Sequence, residues 1–411
     1  MKILISAYSC EPGQGSERGV GWNVAREVAR YHDVWVLTRP DESKAAIEAE
    51  LARNPVPNLH FVYFTLPFWK DSLRWGQSGA MQIHYYLWQI QAYFVAKRLH
   101  QEIGFDAIHH VTFVKYSSPS FLSLLPAPFI WGPVGGGETA PKPFWQDFNL
   151  RAKAYETARL LARGIGELDP FVPMTIRKSA VVRATTIDTA TLLYKMGANE
   201  VEIAPESGIP DRELDRLAQY TVPETEPIRF ISMGRLLHWK GFHLGLRAFA
   251  AARLPNAEFW VVGDGPEWNQ LHQLVQDLGI ADRVKFWGRL ARDETLERLS
   301  QCHALVHPSL HDSGGWVCIE AMASGRPVIC LDLGGPAVQV TKETGIKVPA
   351  QTPQQAVQDL AKAMQRLASD PELRISMGQS GRKLVRETYS WNVIGENLNQ
   401  LYQEVAEQSS V

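Results

Sequence analysis

The sequence predicts an α/β protein built from two doubly wound halves, on three observations. Short apolar runs of strand length recur along the chain, each followed by a glycine-bearing turn and then a helical period, the βαβ pattern of parallel sheets. Between Pro205 and Pro227 the pattern stops: prolines and acids cluster in PESGIPDRELDRLAQYTVPETEP, which places a domain crossing there. The chain has 411 residues, enough for two or three domains of ordinary size.

In the N-terminal half, Lys2 to Ser9 reads as a buried strand, CEPGQGSERGVGW as a glycine-rich turn, Asn23 to Tyr31 as a helix and Val34 to Thr38 as the next strand. The turn carries Gly13, Gly15, Ser16 and Glu17, in a spacing that is not GxGxxG. Asp41 to Arg53 is a charged amphipathic helix and Leu59 to Phe64 a strand. Pro67 to Glu102 sets Trp69, Trp75, Tyr85, Tyr86, Trp88, Tyr93 and Phe94 among Lys70, Arg74, Lys97 and Arg98. We read it as a buried helix of a large α/β domain, with a lipid-facing or glycan-cradling surface as the alternative. Ala107 to Val111 is a strand ending in a loop, where α/β proteins place their sites. Successive strand side chains point to opposite faces, so only one of His109 and His110 can face a given cleft. Phe129 to Trp131 runs into GPVGGGE, where Gly135, Gly136, Gly137 and Glu138 suggest a backbone-lined loop at the same edge. Arg151 to Arg163 is a basic amphipathic helix; Ala180 to Thr185, Asp188 to Met196 and Val201 to Ala204 read as strand, helix and strand.

In the C-terminal half, strands are expected at Arg229 to Met233, Glu258 to Val262, Val284 to Trp287, Ala304 to His307 and Val328 to Leu331. The loops after them carry the chemistry. GRLLHWKG holds Gly234, Arg235, Lys240 and Gly241, two cations after one strand end. VVGDGPE holds Gly263 and Gly265, FWGRL holds Arg289 and Leu290, and LGGPAVQV holds Gly334 and Gly335. In ALVHPSLHDSGGWVCIEAMASGRPVICLD a loop with Asp312, Ser313, Gly314 and Gly315 meets a helix from Trp316 to Ser324. Free N–H groups at that helix start favour an anion, and the glycines let a ligand approach the backbone. Asp312 lies at the mouth and Glu320 about one turn inside the helix, which suits hydroxyls on the acids and a phosphate on the amides.

An acid, seven residues, then Glu followed by Ala resembles the E-x7-E signature of the GT4 family of retaining glycosyltransferases, which have the GT-B fold. The motif order along the chain agrees: glycine-rich loop, strand-end His, GR-x4-K, GDGP, acid-x7-E and a C-terminal Trp helix, SWNVIGENLNQLY. The resemblance implies two Rossmann-like domains facing across a deep cleft, over 1–205 and 206–388, with 389–411 crossing back to the N-terminal domain. It also implies site roles. Arg235 and Lys240 would stabilise a departing diphosphate, Asp312 would contact the donor sugar and Glu320 the ribose. Asp312 stands where the family usually has Glu, one methylene longer. His109, with Asp106, matches the family's D-x-x-H, and His110 is its rival. Gly13, Gly15, Ser16, Gly234, Gly263, Gly265, Arg289, Leu290, Ser313, Gly314, Gly315 and Trp316 would line the donor, and Gly135, Gly136, Gly137 and Glu138 the acceptor side.

The expected function is transfer of a sugar from a UDP- or GDP-sugar to a glycan or lipid-linked acceptor hydroxyl, with retention and without a metal or other cofactor. A non-catalytic nucleotide-sugar-binding protein and a nucleotide-sugar epimerase are the alternatives. A formal net charge of −2 argues against a general nucleic-acid binder. Cys10, Cys302, Cys318 and Cys330 form no C-x-x-C pair and read as reduced core thiols. MKILISAYS reads as a strand rather than a signal peptide, and no apolar run reaches membrane-spanning length. The expected location is the cytoplasm, with peripheral contact at the inner face of a membrane as an extension.

Overall fold

The computed structural model describes residues 1–69, 79–223 and 226–408. Lys70, Arg74 and Trp75 of the aromatic stretch, and Glu224 and Thr225 of the expected linker, lie outside the described residues. The chain divides into two compact units. One comprises Met1–Gly137, Arg159–Gly208 and Trp391–Val411; the other comprises Glu138–Ala158 and Ile209–Ser390.

The first unit alternates β1 (Lys2–Ser6), α1 (Ser16–Val28), β2 (Asp33–Thr38), α2 (Pro40–Arg53), β3 (Leu59–Tyr63), α3 (Gly79–Ile103), β4 (Ala107–His110) and β5 (Phe129–Val134). After α4 (Leu150–Glu167) come α5 (Phe171–Lys178), β6 (Val181–Ala184), α6 (Ile187–Lys195) and β7 (Glu202–Ile203). Its seven strands are all parallel in the order β3-β2-β1-β4-β5-β6-β7. The core gathers Leu4, Leu37, Ile108, Trp131 and Val182 from the strands with Tyr85 and Trp88 from α3, so the aromatic stretch supplies core on one face. Phe94, on the same helix, is exposed.

The second unit runs α7 (Asp211–Ala218), β8 (Ile228–Met233), α8 (Phe242–Ala252), β9 (Ala257–Val262), α9 (Trp268–Asp277), β10 (Val284–Gly288), α10 (Arg292–Ser300), β11 (Ala304–His307), α11 (Trp316–Ala323), β12 (Val328–Leu331), α12 (Gly334–Gln339), β13 (Gly345–Val348), α13 (Pro353–Ser369) and α14 (Pro371–Thr388). Its six parallel strands stand in the order β10-β9-β8-β11-β12-β13. The period of two sorts their side chains onto two faces. Phe230, Phe259, Val306 and Ile329 pack with α8 and α13, whereas Ile231, Trp260, Leu305 and Val328 pack with α7 and α11. Both faces being covered explains why these strands read as unbroken apolar runs. Thr352 before Pro353 and Asp370 before Pro371 start α13 and α14, each with its side chain accepting a backbone N–H inside the first turn.

Two expectations are corrected here. Residues 138–158, read as part of the first half, belong to the second unit, because Phe144, Phe148 and Ala152 bury themselves beside Phe242 and Leu246. The segment read as linker contains α7, whose Leu214 and Leu217 are buried against Cys318 and Ile319. Its acids hide the pattern by occupying the other helix face.

α15 (Trp391–Gln408) returns to the first unit, as the family resemblance implies. It lies close on α1: a Cβ added at Gly395 would stand 2.8 Å from the Cβ of Glu27. All four cysteines are buried free thiols. Among the described residues no helix is long and apolar enough to cross a membrane.

One buried cation ties the second unit together. The Arg326 guanidinium, 0% exposed, donates to the carbonyls of Ser300 at 2.5 Å, Thr221 at 2.6 Å and Cys302 at 3.2 Å, and to those of Tyr220 and Ser324. Removing it strands several buried acceptors at once. Arg326→Met is expected to lower unfolding stability by about 3 kcal/mol or more, read from urea midpoints. A loss below about 1 kcal/mol, the worth of one ordinary hydrogen bond, would contradict this account.

Candidate active site

In the second sheet the chain builds outward from β8 to β10, then jumps back to lay β11 beside β8. At such a reversal the loops leaving two neighbouring strands diverge to opposite sides and leave a crevice at the strand ends. The loop after β8 runs from Gly234 to Gly241, and the loop after β11 from Pro308 to Gly315. Their backbones are joined: Leu310 N–H donates to Trp239 O at 2.7 Å, and the Ser309 hydroxyl donates to the same oxygen at 3.3 Å. Gly241 makes this approach feasible. It has φ +68°, and a Cβ there would lie 1.9 Å from Pro308 O. Gly263, φ +140°, brings the loop after β9 equally close, since its Cβ would meet Gly234 O at 1.8 Å.

The joined loops bring the two chief sequence candidates into contact. Lys240 Nζ donates to Asp312 Oδ2 at 2.5 Å, with 21% and 16% of the two side chains exposed. His307, at the end of β11, donates from Nε2 to the same oxygen at 3.1 Å. Gly315 N–H, at the start of α11, lies 3.4 Å from Oδ1. Burial alone would raise the Asp312 carboxyl, but Lys240 and His307 outweigh it and hold it well below the usual carboxylate range. Burial pushes His307 down against the pull of Asp312.

Glu320, on α11, is buried, and burial pushes its carboxyl up against the pull of Arg292. Arg292 NH1 donates to Glu320 Oε1 at 2.6 Å and its NH2 to Glu213 Oε1 at 2.5 Å. Arg235 and Arg289 are exposed, whereas Gly234, Ser313, Gly314 and Trp316 are half-buried and Gly315 is buried. Gln339 fixes the glycine turn by donating to Gly314 O at 2.6 Å. Gly265 and Leu290 are half-buried near the ends of β9 and β10.

The candidates in the first unit fare differently. Gly13, Gly15 and Ser16 form an exposed turn after β1, and Glu17 Oε2 accepts the Phe113 N–H at 3.0 Å. Gly135 bridges Lys115, and Gly137 N–H donates to Thr189 Oγ1 at 3.0 Å. The histidine expectation is corrected. His109 and His110 do point to opposite faces, yet both are enclosed, at 1% and 0% exposure. His109 lies between the Tyr402 hydroxyl, 2.6 Å from Nδ1, and Gly132 O, 2.7 Å from Nε2. His110 Nε2 stands 3.2 Å from the Tyr85 hydroxyl and 3.3 Å from Gln89 Nε2. Because β4 is a central strand, helices cover it on both sides and neither ring opens to a cleft. Glu138 is also corrected. It belongs to the second unit, and a Cβ added at Gly334 would stand 3.3 Å from its Cγ.

Sequence reasoning missed His307 and Arg292. His307 had a signal, a polar residue ending an apolar strand five positions before Asp312. Arg292 had none, because nothing local links it to Glu320.

The model of the family described as "Glycosyl transferases group 1" matches residues 215–384. Those residues belong to the group 1 glycosyl transferases. The GT4 resemblance carried by Arg235, Lys240, Asp312 and Glu320 lies wholly inside this group 1 segment. The chain is 30% identical over 228 residues to a 2-deoxystreptamine glucosyltransferase of Streptomyces kanamyceticus, covering 52% of this chain and 58% of the relative. It is 32% identical over 185 residues to the lipopolysaccharide core biosynthesis glycosyltransferase LpsE of Rhizobium meliloti (strain 1021), covering 45% and 52%. The chain thus spans about half the length of these relatives. Among solved structures, Anabaena Alr3699/HepE in complex with UDP-glucose superposes with a TM-score of 0.59 at 17% identity, covering 100% of this chain and 99% of that one. At that identity the likeness concerns the fold, two doubly wound units of the GT-B kind.

The ionised state of Asp312 makes a pH-dependent prediction. Its folded-state pKa is depressed, so its stabilisation is complete above the unfolded value of about 4 and is lost as pH falls towards the folded value. Asp312→Asn should cost about 1–3 kcal/mol at pH 7. The gap to the native protein should narrow by about 1 kcal/mol between pH 5 and pH 3, measured from urea midpoints at each pH. A gap independent of pH would sink the pairing.

Proposed function

We propose that the chain is a glycosyltransferase that moves a hexosyl group from a UDP- or GDP-sugar to an acceptor hydroxyl with retention of anomeric configuration. The observation that carries this reading is the Lys240–Asp312 contact at the strand-order reversal, beside the glycine turn that opens α11. A nucleotide diphosphate sugar needs a cation and backbone N–H groups at its phosphates and acceptors at its sugar hydroxyls. Those are the groups gathered here. The relatives named above as glucosyltransferase and core glycosyltransferase support the class.

Without donor, Lys240 and Asp312 neutralise one another. With donor bound, Lys240 and Arg235 would face the diphosphate, the amides of Gly314 and Gly315 would receive a phosphate oxygen, Asp312 the sugar hydroxyls and Glu320 the ribose. As the bond between the anomeric carbon and the diphosphate oxygen breaks, charge grows on the leaving group where the cations stand. The acceptor oxygen bonds to the same face of that carbon, and its proton passes to the departing oxygen. No step in this account requires a metal.

For the acceptor we propose the cavity of about 820 Å³ in the first unit, lined by Ile83, Tyr86, Lys115, Arg159, Ile165 and Leu168. Ile83, Ile165 and Leu168 are 58%, 72% and 83% exposed at a cavity that also holds cations, which favours a lipid-linked anionic acceptor over a plain glycan. Peripheral contact with an anionic membrane follows from the same surface.

Thermal unfolding with UDP, GDP and ADP tests the donor site. The true nucleotide at 100 times its Kd should add about 2.7 kcal/mol, and Lys240→Ala should abolish the gain. No gain with any nucleotide would refute the donor site. Arg235→Ala should lower kcat about 100- to 1,000-fold, and NMR of the product should show the donor's anomeric configuration. An inverted product would remove the retaining mechanism.

A further inference from the structure

We propose that Glu156 is a positioning residue of the donor site, and that it sets the spacing of Lys240 and Asp312 through His238 and His311. The proposal rests on the functional reading above. Glu156 lies on α4, in the part of that helix belonging to the second unit, and its side chain is 1% exposed. One carboxylate oxygen, Oε1, receives His238 Nε2 at 2.9 Å and His311 Nε2 at 3.1 Å. A carboxylate accepts, so both imidazoles donate from Nε2. His238 precedes Lys240 by two residues, and His311 immediately precedes Asp312. The two loops that carry the charged pair are therefore fastened to a single atom.

Ring packing fixes the same register. Trp239 stacks with Tyr155 of α4 at 5.1 Å and with His311 at 5.1 Å. Phe148 meets the His238 ring edge-on at 4.9 Å. Such a bolt matters for bond cleavage in particular. Lys240 serves the leaving diphosphate and Asp312 the sugar, and the bond that breaks joins those two parts. Each loop alone can hold its own part of the donor. The loops must stand at a fixed separation to stretch the bond between them, and a misplacement of about 1 Å costs on the order of 100-fold.

The test compares Glu156→Ala, Glu156→Gln and His311→Phe with the native protein in steady-state turnover of the UDP- or GDP-sugar, and in calorimetric binding of the matching nucleoside diphosphate. Glu156→Ala should lower kcat about 10- to 100-fold while the Kd of the nucleoside diphosphate stays nearly unchanged. Glu156→Gln should restore kcat, because its amide oxygen accepts the same two N–H groups. His311→Phe keeps an aromatic ring against Trp239 and loses the bond to Glu156. It should reproduce the kcat loss even where the Ala variant fails to fold. Native kcat in folded Glu156→Ala or His311→Phe overturns the proposal, as does a Gln variant as impaired as Ala. A kcat loss matched by loss of nucleotide affinity and melting temperature assigns Glu156 a purely structural role and also overturns it. A native protein that turns over no UDP- or GDP-sugar overturns the functional reading, and this proposal with it.

Discussion

The candidate site depends on one constraint, the reversal of strand order between β8 and β11. Parallel strands covered on both faces leave no room for polar groups along their length. Their ends are different, because each loop must travel to the helix on its own side. Where neighbouring loops leave in opposite directions, unpaired strand ends and helix starts gather around one gap. Lys240, His307 and Asp312 meet there, and each finds in the others the partner that burial demands.

Having gathered, those charges are not left bare. Asp312 is met by Lys240 and His307, Glu320 by Arg292, and Glu156 by two histidines. Each acid is largely buried, so each demands a donor, and apart from His307 the donors come from distant parts of the chain. The site is therefore charged, nearly neutral in sum and already assembled without a ligand. An anionic ligand can exchange places with a carboxylate on Lys240 without exposing a lone buried cation.

The alternation of strand and helix was plain in the residues. The bounds read for β11 and β12 match those found, since a run of three or four apolar residues between turn signals leaves little freedom. The loops and helix that carry Arg235, Lys240, Asp312 and Glu320 were also readable, because the turn signals that bound them are local. What stayed hidden depends on distance along the chain. Arg292 meets Glu320 across 28 residues, and Glu156 meets His238 across 82. The histidines of β4 show a second limit. The two-residue period separated their faces correctly, but it carries no information on what covers each face. Glu138 shows a third. Its neighbours in sequence remain in the first unit, and the chain changes unit between Gly137 and Glu138.

The return of α15 bears on how the chain is made. A ribosome delivers the strands and helices of the second unit, through Ser390, before it delivers the helix that lies on α1 and reaches His109 through Tyr402. The core residues of the second unit all come before α15 in the chain. The first unit, whose α1 is made much earlier, keeps the α15-facing side of α1 uncovered until α15 emerges. A unit whose covering helix is made so late carries exposed apolar surface for that interval, the condition in which partly folded chains aggregate.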